Sequence, residues 1–513
     1  MASAQSVRDL LAPYEATTPA ILAPGRRPLT HGALRALADE TVATLNGLGV
    51  GRNDRVAIVL PNGPEMATSF LAVACAAATA PLNPAYKAEE FDFYLSDLRA
   101  KALIVGEDEA GPAVEVARRH GACVLRLRTT PDTPAGRFTL AGENDGTNPA
   151  AARPGPAGPD DTALVLHTSG TTSRPKIVPL LHRNVAASAA HIGAALALTP
   201  GDRCLNVMPL FHIHGLIAAT LSSLAAGGST YCAPGFNALR FFAWLDEAQP
   251  TWYTAVPTMH QAILARAARN PESIAKARLR LIRSSSASLP PQVMREVEAA
   301  FGCPVIESYG MTEAAHQMTS NPLPPRERFP GSVGVAAGPL VRTADDEARF
   351  VAAGEAAEVV ISGPNVTPGY ESNPDANAKA FFEADGRRWF RTGDQGVIDE
   401  AGYLRITGRL KEIINRGGEK VSPLEVDEVL MDHPAVQQVV TFAMPHDKLG
   451  EEVAAAVVLR EGERAGEREL RDFAAGRLAD FKVPRRIVVL DEIPKGATGK
   501  LQRIGLAQKL GLG

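Results

Sequence analysis

Short runs of Val, Ile and Leu alternate with longer segments of helical periodicity through most of the chain. Arg55 to Leu60 predicts a strand, Pro64 to Ala80 a helix, and Ala102 to Val105 a further strand. Strands that are apolar at nearly every position are typical of parallel sheets covered by helices on both faces. The alternation therefore predicts an α/β architecture with largely parallel strands.

The most apolar stretch, Ala67 to Pro81, is rich in alanine and also carries Thr68, Ser69 and Thr79. It falls short of the roughly 20 apolar residues that a bilayer crossing needs. We therefore expect a buried helix here and no membrane span.

The pattern changes at two places. From Ala141 to Asp160 the sequence is rich in Gly, Pro, Asn and Ala and loses its periodicity, which predicts a surface connection. A second change comes near Gly408, after which the strand and helix patterns are Val436 to Phe442, Ala454 to Leu459, Glu467 to Ala479 and Ile487 to Leu490. We expect a large N-terminal domain of layered α/β subdomains over residues 1–408 and a small α+β C-terminal domain over residues 409–513.

Composition narrows the class of protein. The chain has 513 residues, 45% of them hydrophobic, and 53 basic against 57 acidic side chains leave a net charge of -4. These values exclude a disordered chain and a broadly basic nucleic-acid binder. The five cysteines form no C-x-x-C pair, which argues against a disulfide framework or a cysteine-based metal site. Neither terminus carries a recognisable targeting signal, so we expect a cytosolic protein.

A loop rich in hydroxyl groups follows a predicted strand from Asp161 to His167. Residues 168–176 read T-S-G-T-T-S-R-P-K. Backbone N–H groups and hydroxyls can donate to a polyanion while the lysine neutralises it, which indicates a nucleotide polyphosphate as the ligand. The G-x-x-x-x-G-K-[ST] pattern is absent, which argues against a P-loop ATPase. A polar turn between strand and helix is the structural alternative.

The loop and four later motifs resemble, in the same order, those of the adenylate-forming superfamily, which includes acyl-CoA synthetases, firefly luciferase and nonribosomal adenylation domains. The later motifs are Tyr309-Gly310-Met311-Thr312-Glu313, Thr392-Gly393-Asp394, Gly408 to Ile414 and Pro494 to Lys500. The resemblance implies an enzyme that uses ATP, Mg²⁺ and coenzyme A. It would form an acyl adenylate and pyrophosphate, and then an acyl-CoA and AMP. Ile177 and Asn415 depart from the superfamily pattern, and no proton-transfer role is assigned to Asn415.

The resemblance also implies roles for individual residues. Lys500 would bridge the attacking carboxylate and the α-phosphate, and Glu313 with Thr171 would hold Mg²⁺. Lys411 would be the hinge of a mobile C-terminal domain. The residues implied in binding the nucleotide or coenzyme A are Thr168, Ser169, Gly170, Thr172, Lys176, Ser285, Tyr309, Gly310, Thr312, Asp394, Arg409, Gly417 and Gly418.

Elementary chemistry agrees with several of these roles. A carboxylate and a triphosphate repel each other, so cations must bridge them, and Mg²⁺ prefers one or two carboxylates with phosphate oxygens. Asp394 can accept two hydrogen bonds from ribose hydroxyls, and Tyr309 offers an aromatic face to adenine. The alternatives left open are a turn aspartate, a surface ion pair at Arg409, a packing tyrosine and a plain β-turn at Gly417 and Gly418.

Polar residues in the expected acid pocket bear on the substrate. His212, His214, Ser286 and His316 could donate hydrogen bonds to a second carboxylate near the reacting one, because a buried anion must be hydrogen-bonded or paired. Together with residues 251–258 and 320–324, these segments resemble the oxalate-CoA ligases of plants and yeasts, which favours oxalate. His212 would then contact the substrate and count among the catalytic residues.

Several alternatives stay open at this point. His212 could serve only as a gate to the pocket, and His316 only as a structural donor. The chain could be a synthetase for medium-chain or aromatic acids, or a nucleotide sensor without catalysis. The expected partners are a small carboxylic acid, ATP and coenzyme A, without nucleic acid, in a monomer or a homodimer.

Overall fold

The computed structural model describes residues 4–143, 150–168, 175–495 and 500–512. Several helices begin with proline at the first helical position, where its missing N–H would have no partner in any case. The α-helices are α1 Val7–Leu11, α2 His31–Gly47, α3 Pro64–Ala74, α4 Ala88–Leu98, α5 Pro112–Arg119, α6 His182–Ala195, α7 Ser222–Ala225, α8 Phe241–Ala248, α9 Pro257–Ala267, α10 Pro271–Lys276, α11 Pro291–Phe301, α12 Pro374–Ala380, α13 Pro423–Met431, α14 Glu467–Ala475 and α15 Leu506–Lys509.

The strands are β1 Pro19–Leu22, β2 Leu29–Thr30, β3 Arg55–Val59, β4 Ala78–Pro81, β5 Ala102–Gly106, β6 Cys123–Arg128, β7 Thr139–Gly142, β8 Thr162–His167, β9 Ile177–Leu181, β10 Arg203–Asn206, β11 Ser229–Cys232, β12 Trp252–Ala255, β13 Leu281–Ser284, β14 Val305–Met311, β15 His316–Ser320, β16 Val335–Ala336, β17 Leu340–Ala344, β18 Ala356–Ser362, β19 Phe381–Ala384, β20 Arg387–Ile398, β21 Leu404–Arg409, β22 Ile414–Arg416, β23 Glu419–Val421, β24 Val436–His446, β25 Gly450–Leu459 and β26 Arg486–Val489.

Two large sheets carry the predicted parallel strands. One has the order β7-β6-β5-β3-β4-β8-β9 and is parallel from β6 to β8. The other has the order β16-β15-β14-β13-β12-β10-β11-β1-β2 and is parallel from β14 to β1. The predicted α/β class is therefore confirmed, and so are the strands near residues 55–60, 102–105 and 161–167.

Two further sheets complete the described chain. An antiparallel sheet has the order β17-β18-β20-β19, with β21 paired to β20. The last sheet, β23-β22-β25-β24 with β26 parallel to β25, belongs to the small α+β domain with α13, α14 and α15. This part packs on the larger one, since Gln261 Nε2 donates to the Gln437 carbonyl at 2.9 Å and Arg460 pairs with Glu296 at 3.0 Å.

The prediction of one helix through the alanine-rich segment is wrong in its second half. The helix α3 ends at Ala74, and Ala78–Pro81 is the strand β4 between β3 and β8. Alanine favours helices, but tertiary context overrides that preference in a central strand buried on both faces. Small side chains fit there, and Thr79 satisfies its hydroxyl by donating to the Ala163 carbonyl at 2.7 Å.

The prediction of a surface connection from residue 141 to 160 is only partly right. Residues 141 and 142 belong to β7, while residues 150–160 have no helix or strand. Ala151 and Ala157 are nevertheless buried, and the Ala157 N–H donates to the Cys75 carbonyl at 2.8 Å. The segment is therefore packed against the end of α3. Within the described residues, no helix combines the length and the apolar character needed to cross a bilayer.

Candidate active site

The candidate site lies at the carboxyl ends of parallel strands, where ligands of open α/β sheets commonly bind. Thr254 is near the end of β12, Arg283 near the end of β13, and Tyr309 near the end of β14. The strands are paired in register, with Thr254 opposite Arg283 and Arg283 opposite Ile306. The sheet therefore brings together side chains that are far apart in sequence.

Asp394, Tyr309 and Arg409 form one connected group. The Tyr309 hydroxyl donates to Asp394 Oδ2 at 2.5 Å, and Arg409 Nε lies 3.3 Å from Asp394 Oδ1. Asp394 and Arg409 are paired across β20 and β21. Burial raises the pKa of Asp394, while the Arg409 charge and the Tyr309 hydrogen bond oppose that rise. The group presents a buried carboxylate that is fixed in place.

Glu313 lies on a 3₁₀ turn, Thr312–Ala314, directly after β14. Its Oε1 accepts a hydrogen bond from the Tyr370 hydroxyl at 2.9 Å, and the Lys176 ammonium lies 4.3 Å from the centre of the Tyr370 ring. Burial raises the pKa of Glu313, opposed by the Tyr370 hydrogen bond and the positive charge of Lys176. Glu313 and Lys176 therefore share one neighbourhood through Tyr370.

The two described ends of the hydroxyl-rich loop are held together. The Thr168 N–H donates to the Lys176 carbonyl at 3.0 Å, and the Lys176 N–H donates to Thr168 Oγ1 at 3.1 Å. The loop consequently begins and ends at one point, beside β8 and β9. The predicted phosphate contacts at Ser169, Gly170, Thr171 and Thr172 lie outside the described residues.

Lys500 lies in the C-terminal part of the chain and interacts with charged groups of the candidate site. Its side chain is partly buried. Burial, together with the positive charge of Arg409, lowers its pKa to about 8, against the raising effect of Asp394. Burial lowers the pKa of His212 to about 3, and the Lys500 charge contributes to that shift. The Lys500 charge therefore interacts both with the Asp394 and Arg409 charges and with His212.

Arg503 anchors the segment that carries Lys500. Its Nη2 lies 2.9 Å from Asp427 Oδ2 on α13, and its Nε lies 3.4 Å from Glu412 Oε2. It also donates to the Thr441 carbonyl on β24. One guanidinium therefore ties the segment after Lys500 to the residues that follow Arg409.

The predicted acid-binding residues form a hydrogen-bonded cluster. His214 Nδ1 lies 2.9 Å from Ser286 Oγ, and His214 Nε2 lies 2.6 Å from Thr254 Oγ1. The His214 and His316 ring centres are 5.0 Å apart, and the His214 N–H donates to His212 Nδ1 at 3.3 Å. Burial lowers the pKa of His214 and of His316, helped by neighbouring positive charge. All three histidines are therefore neutral near pH 7.

Backbone strain is concentrated in the same cluster. Ser286 has a φ of 74° and His316 a φ of 96°, both in the left-handed region that residues other than glycine rarely adopt. Gly310 on β14 allows the neighbouring strand β15 to approach closely. A Cβ at Gly310 would lie 1.5 Å from the His316 carbonyl oxygen. The chain thus holds two polar side chains in conformations that the surrounding packing must enforce.

The remaining predicted residues have the following positions. Ser285 is buried, and its hydroxyl donates to the Ser308 carbonyl at 2.8 Å. Thr312 begins the turn of Glu313. Gly417 and Gly418, with φ of 59° and 100°, form the two-residue turn between β22 and β23, which is typical of a type I′ hairpin. Lys411 is exposed in the turn after β21. Their functional roles stay predictions.

Sequence reasoning gave no role to two side chains that the structure places in the site. Tyr370 bridges Glu313 and Lys176, although it is more than 50 residues from Glu313 in sequence. Arg283 is fully buried on β13, and its Nη2 donates to Gln317 Oε1 at 3.1 Å. Its charge directly after the apolar residues Leu281 and Ile282 was the signal available in the sequence.

Comparison with known proteins shows to which enzymes the chain is similar. The model of the AMP-binding enzyme family matches residues 12–371, and that of the AMP-binding enzyme C-terminal domain matches residues 425–500. The chain is similar to an oxalate-CoA ligase from Arabidopsis thaliana, with 46% identity covering 94% of each chain.

Similarity extends to a fungal relative and to a solved structure. An oxalate-CoA ligase from Saccharomyces cerevisiae is 42% identical, covering 94% of this chain and 92% of the relative. The crystal structure of ATP-bound MatB from Rhodopseudomonas palustris has a TM-score of 0.87 at 31% identity and covers 98% of both chains.

Proposed function

The chain belongs to the AMP-binding enzyme family and is an ATP-dependent acid-CoA ligase, and we propose that the acid it activates is oxalate. The observation that carries the choice of acid is the buried polar cluster of His214, Ser286, His316 and Arg283 beside Lys500. Buried donors of this kind need a hydrogen-bonding partner, and the second carboxylate of a short diacid supplies one.

In the first half-reaction, a carboxylate oxygen of the acid attacks the α-phosphorus of ATP, and the bond to the bridging oxygen breaks as pyrophosphate leaves. Lys500 would bring the two anions together, since an ammonium among buried groups interacts strongly with both. Asp394, fixed by Tyr309 and Arg409, would accept hydrogen bonds from the ribose hydroxyls. Lys176 would neutralise phosphate oxygens at the end of the loop.

The residues around Glu313 fit a magnesium ion. Its carboxylate accepts a hydrogen bond from Tyr370, which orients it, and would supply an oxygen ligand to the cation. Within the described residues, no group of three or more His, Cys, Asp or Glu side chains is arranged to hold a metal alone. A single carboxylate completed by phosphate oxygens and water is the coordination that Mg²⁺ prefers. When bound, the ion would neutralise charge on the phosphates.

In the second half-reaction, the sulfur of coenzyme A attacks the acyl carbon and AMP leaves, so no covalent nucleophile on the protein is needed. We propose that the domain formed by residues 409–513 rotates about Lys411 between the two steps. The rotation would remove Lys500 and bring the turn at Gly417 and Gly418 to the thiol, where glycine permits close approach of pantetheine. The exposed position of Lys411 supports a pivot there.

A pocket for medium-chain or aromatic acids would be lined by apolar side chains. The present cluster would instead leave the buried His316 Nε2, which has no partner in the described protein, without a hydrogen bond, at a cost of roughly 1–3 kcal/mol. The structure therefore favours the diacid over the alternative raised from the sequence.

The test is coenzyme A-dependent AMP release with oxalate, octanoate and 4-coumarate as competing substrates. We expect a kcat/KM for oxalate at least 100-fold above the other two, corresponding to about 2.7 kcal/mol of discrimination. His316→Phe, which fills the position with an apolar ring, should reduce that ratio. Preference for octanoate or coumarate by the unaltered enzyme would overturn the proposal.

A further inference from the structure

Arg283 is a buried cation without a carboxylate partner in the described part of the chain. Its side chain is fully buried, and no Asp or Glu there lies within ion-pair distance of it. Its nearest polar groups are neutral: Gln317 Oε1 at 3.1 Å, His316 Nδ1 at 3.4 Å and His214 Nε2 at 3.5 Å. Buried charges are normally paired, so the protein leaves this positive charge to be balanced by a ligand.

The chemistry of the guanidinium fixes which ring nitrogens carry protons. Arginine can only donate hydrogen bonds. We therefore assign the nitrogens that face it, His316 Nδ1 and His214 Nε2, as acceptors. The Thr254 hydroxyl, 2.6 Å from His214 Nε2, then donates to that same nitrogen. In a neutral imidazole the other nitrogen then carries the proton. Both rings are consequently set as one defined tautomer, with His316 protonated at Nε2 and His214 protonated at Nδ1.

These tautomers determine what the cluster offers to a ligand. His316 Nε2 is buried and has no partner in the described protein, so its N–H is a free donor. His214 Nδ1 donates to Ser286 Oγ at 2.9 Å, so the Ser286 hydroxyl proton is free to point elsewhere. The result is two donors, from His316 and Ser286, that are both set by one arginine. Two donors backed by a positive charge match a carboxylate.

We propose that Arg283 is a positioning residue for the second carboxylate of the acid, fixing the His214 and His316 tautomers so that Ser286 and His316 both donate to that carboxylate. The inference rests on the proposed function, because it assumes that the acid has a second carboxylate. It adds that the selection of a diacid over a monoacid depends on Arg283, which acts through the two histidines.

The kinetic test uses Arg283→Met, which keeps similar bulk and removes the charge. We expect KM for oxalate to rise about 10- to 100-fold, the range for losing hydrogen bonds to a charged group. KM for ATP should stay the same, and kcat/KM for the monoacid glyoxylate should change by less than threefold. The oxalate-to-glyoxylate preference should therefore fall by at least about threefold.

Arg280→Met is the matched control. Arg280 lies just before β13 and pairs with Asp202 at 2.6 Å, away from the histidines. Its loss should lower the melting temperature without changing the oxalate-to-glyoxylate preference. If Arg283→Met changes only the melting temperature, or weakens oxalate, glyoxylate and ATP equally, the positioning role is refuted.

A second measurement observes the His316 tautomer directly in the unaltered enzyme. Long-range ¹⁵N–¹H correlation spectra of the unaltered enzyme, with His316 signals identified from His316→Asn, should show His316 protonated at Nε2. Added guanidinium at a non-denaturing concentration should partly restore oxalate turnover to Arg283→Ala. A His316 proton at Nδ1 would overturn the inference even if oxalate is the substrate. Failure of the unaltered enzyme to use oxalate would instead overturn the proposed function.

Discussion

Replacing Lys500 with alanine tests the central contact of the proposed chemistry. The free protein holds this ammonium where burial and Arg409 lower its pKa from 10.5 to about 8. At about 1.4 kcal/mol per pH unit, that lowering corresponds to about 3 kcal/mol of unfavourable free energy. The negative charges of the bound carboxylate and triphosphate would offset this unfavourable free energy. Removal of the ammonium should therefore raise the free-energy barrier of adenylation by at least the same amount.

A loss of about 3 to 4 kcal/mol corresponds to a fall of about 10²- to 10³-fold in rate. The assay is oxalate-dependent exchange of pyrophosphate into ATP, measured beside thioester formation from pre-made oxalyl adenylate. We expect Lys500→Ala to lose the first activity and to keep the second within about threefold of the unaltered enzyme, because the proposed rotation has removed Lys500 by then.

Lys495→Ala is the matched control, because Lys495 lies on the same segment but pairs with the exposed Glu492 at 3.1 Å. It should leave both half-reactions unchanged. Equal loss of both half-reactions in Lys500→Ala, or less than a tenfold effect on exchange, would refute the assignment of Lys500 to adenylation.

Three further predictions follow from the same geometry. Asp394→Asn should raise KM for ATP about 10- to 100-fold and abolish the preference for ATP over 2′-deoxy-ATP, because a charged hydrogen bond to ribose is lost. Steady-state kinetics with both nucleotides measure this preference, and an unchanged preference would contradict the ribose role. As pH rises through about 8, the pyrophosphate exchange rate at low ATP should fall, because the lowered pKa of Lys500 leaves the ammonium charged mainly below that pH. A pH profile of kcat/KM checks this expectation, and Lys500→Arg should move the fall to higher pH. Lys411→Pro should slow the coenzyme A step while sparing exchange, whereas Lys411→Ala should spare both, since the proposed pivot needs backbone rotation and not the side chain; rapid-quench measurement of each half-reaction separates the outcomes.

The sequence predicted the architecture well where periodicity was clear. The apolar runs at β3, β5 and β8 could be predicted because parallel strands covered on both faces leave few positions for polar side chains. The strand β4 could not, because Ala78 and Ala80 favour helices, and the segment becomes a strand through pairing with β3 and β8. Long-range pairing of this kind has no local signature in sequence.

The candidate site was predictable to the extent that its residues lie in motifs. Tyr309, Asp394 and Arg409 were each identified from their segments, and the structure joins them in one hydrogen-bonded group. Tyr370 lies in no motif, and sequence reasoning assigned no role to Arg283 although it lies close to Ser285 and Ser286. Each enters the site through contacts with residues that are distant in sequence. The boundary at residue 408, the cytosolic location and the oligomeric state stay predictions.

The contacts of Arg503 have a consequence for the timing of the reaction. This guanidinium links the C-terminal tail to Glu412, directly after the proposed pivot, and to α13. If the small domain rotates as proposed, the tail would therefore move with it. Arrival of the ammonium at the triphosphate and its withdrawal before thiol attack would then be a single concerted movement. The thiol of coenzyme A could then not attack the adenylate while the Lys500 ammonium is still beside the phosphates.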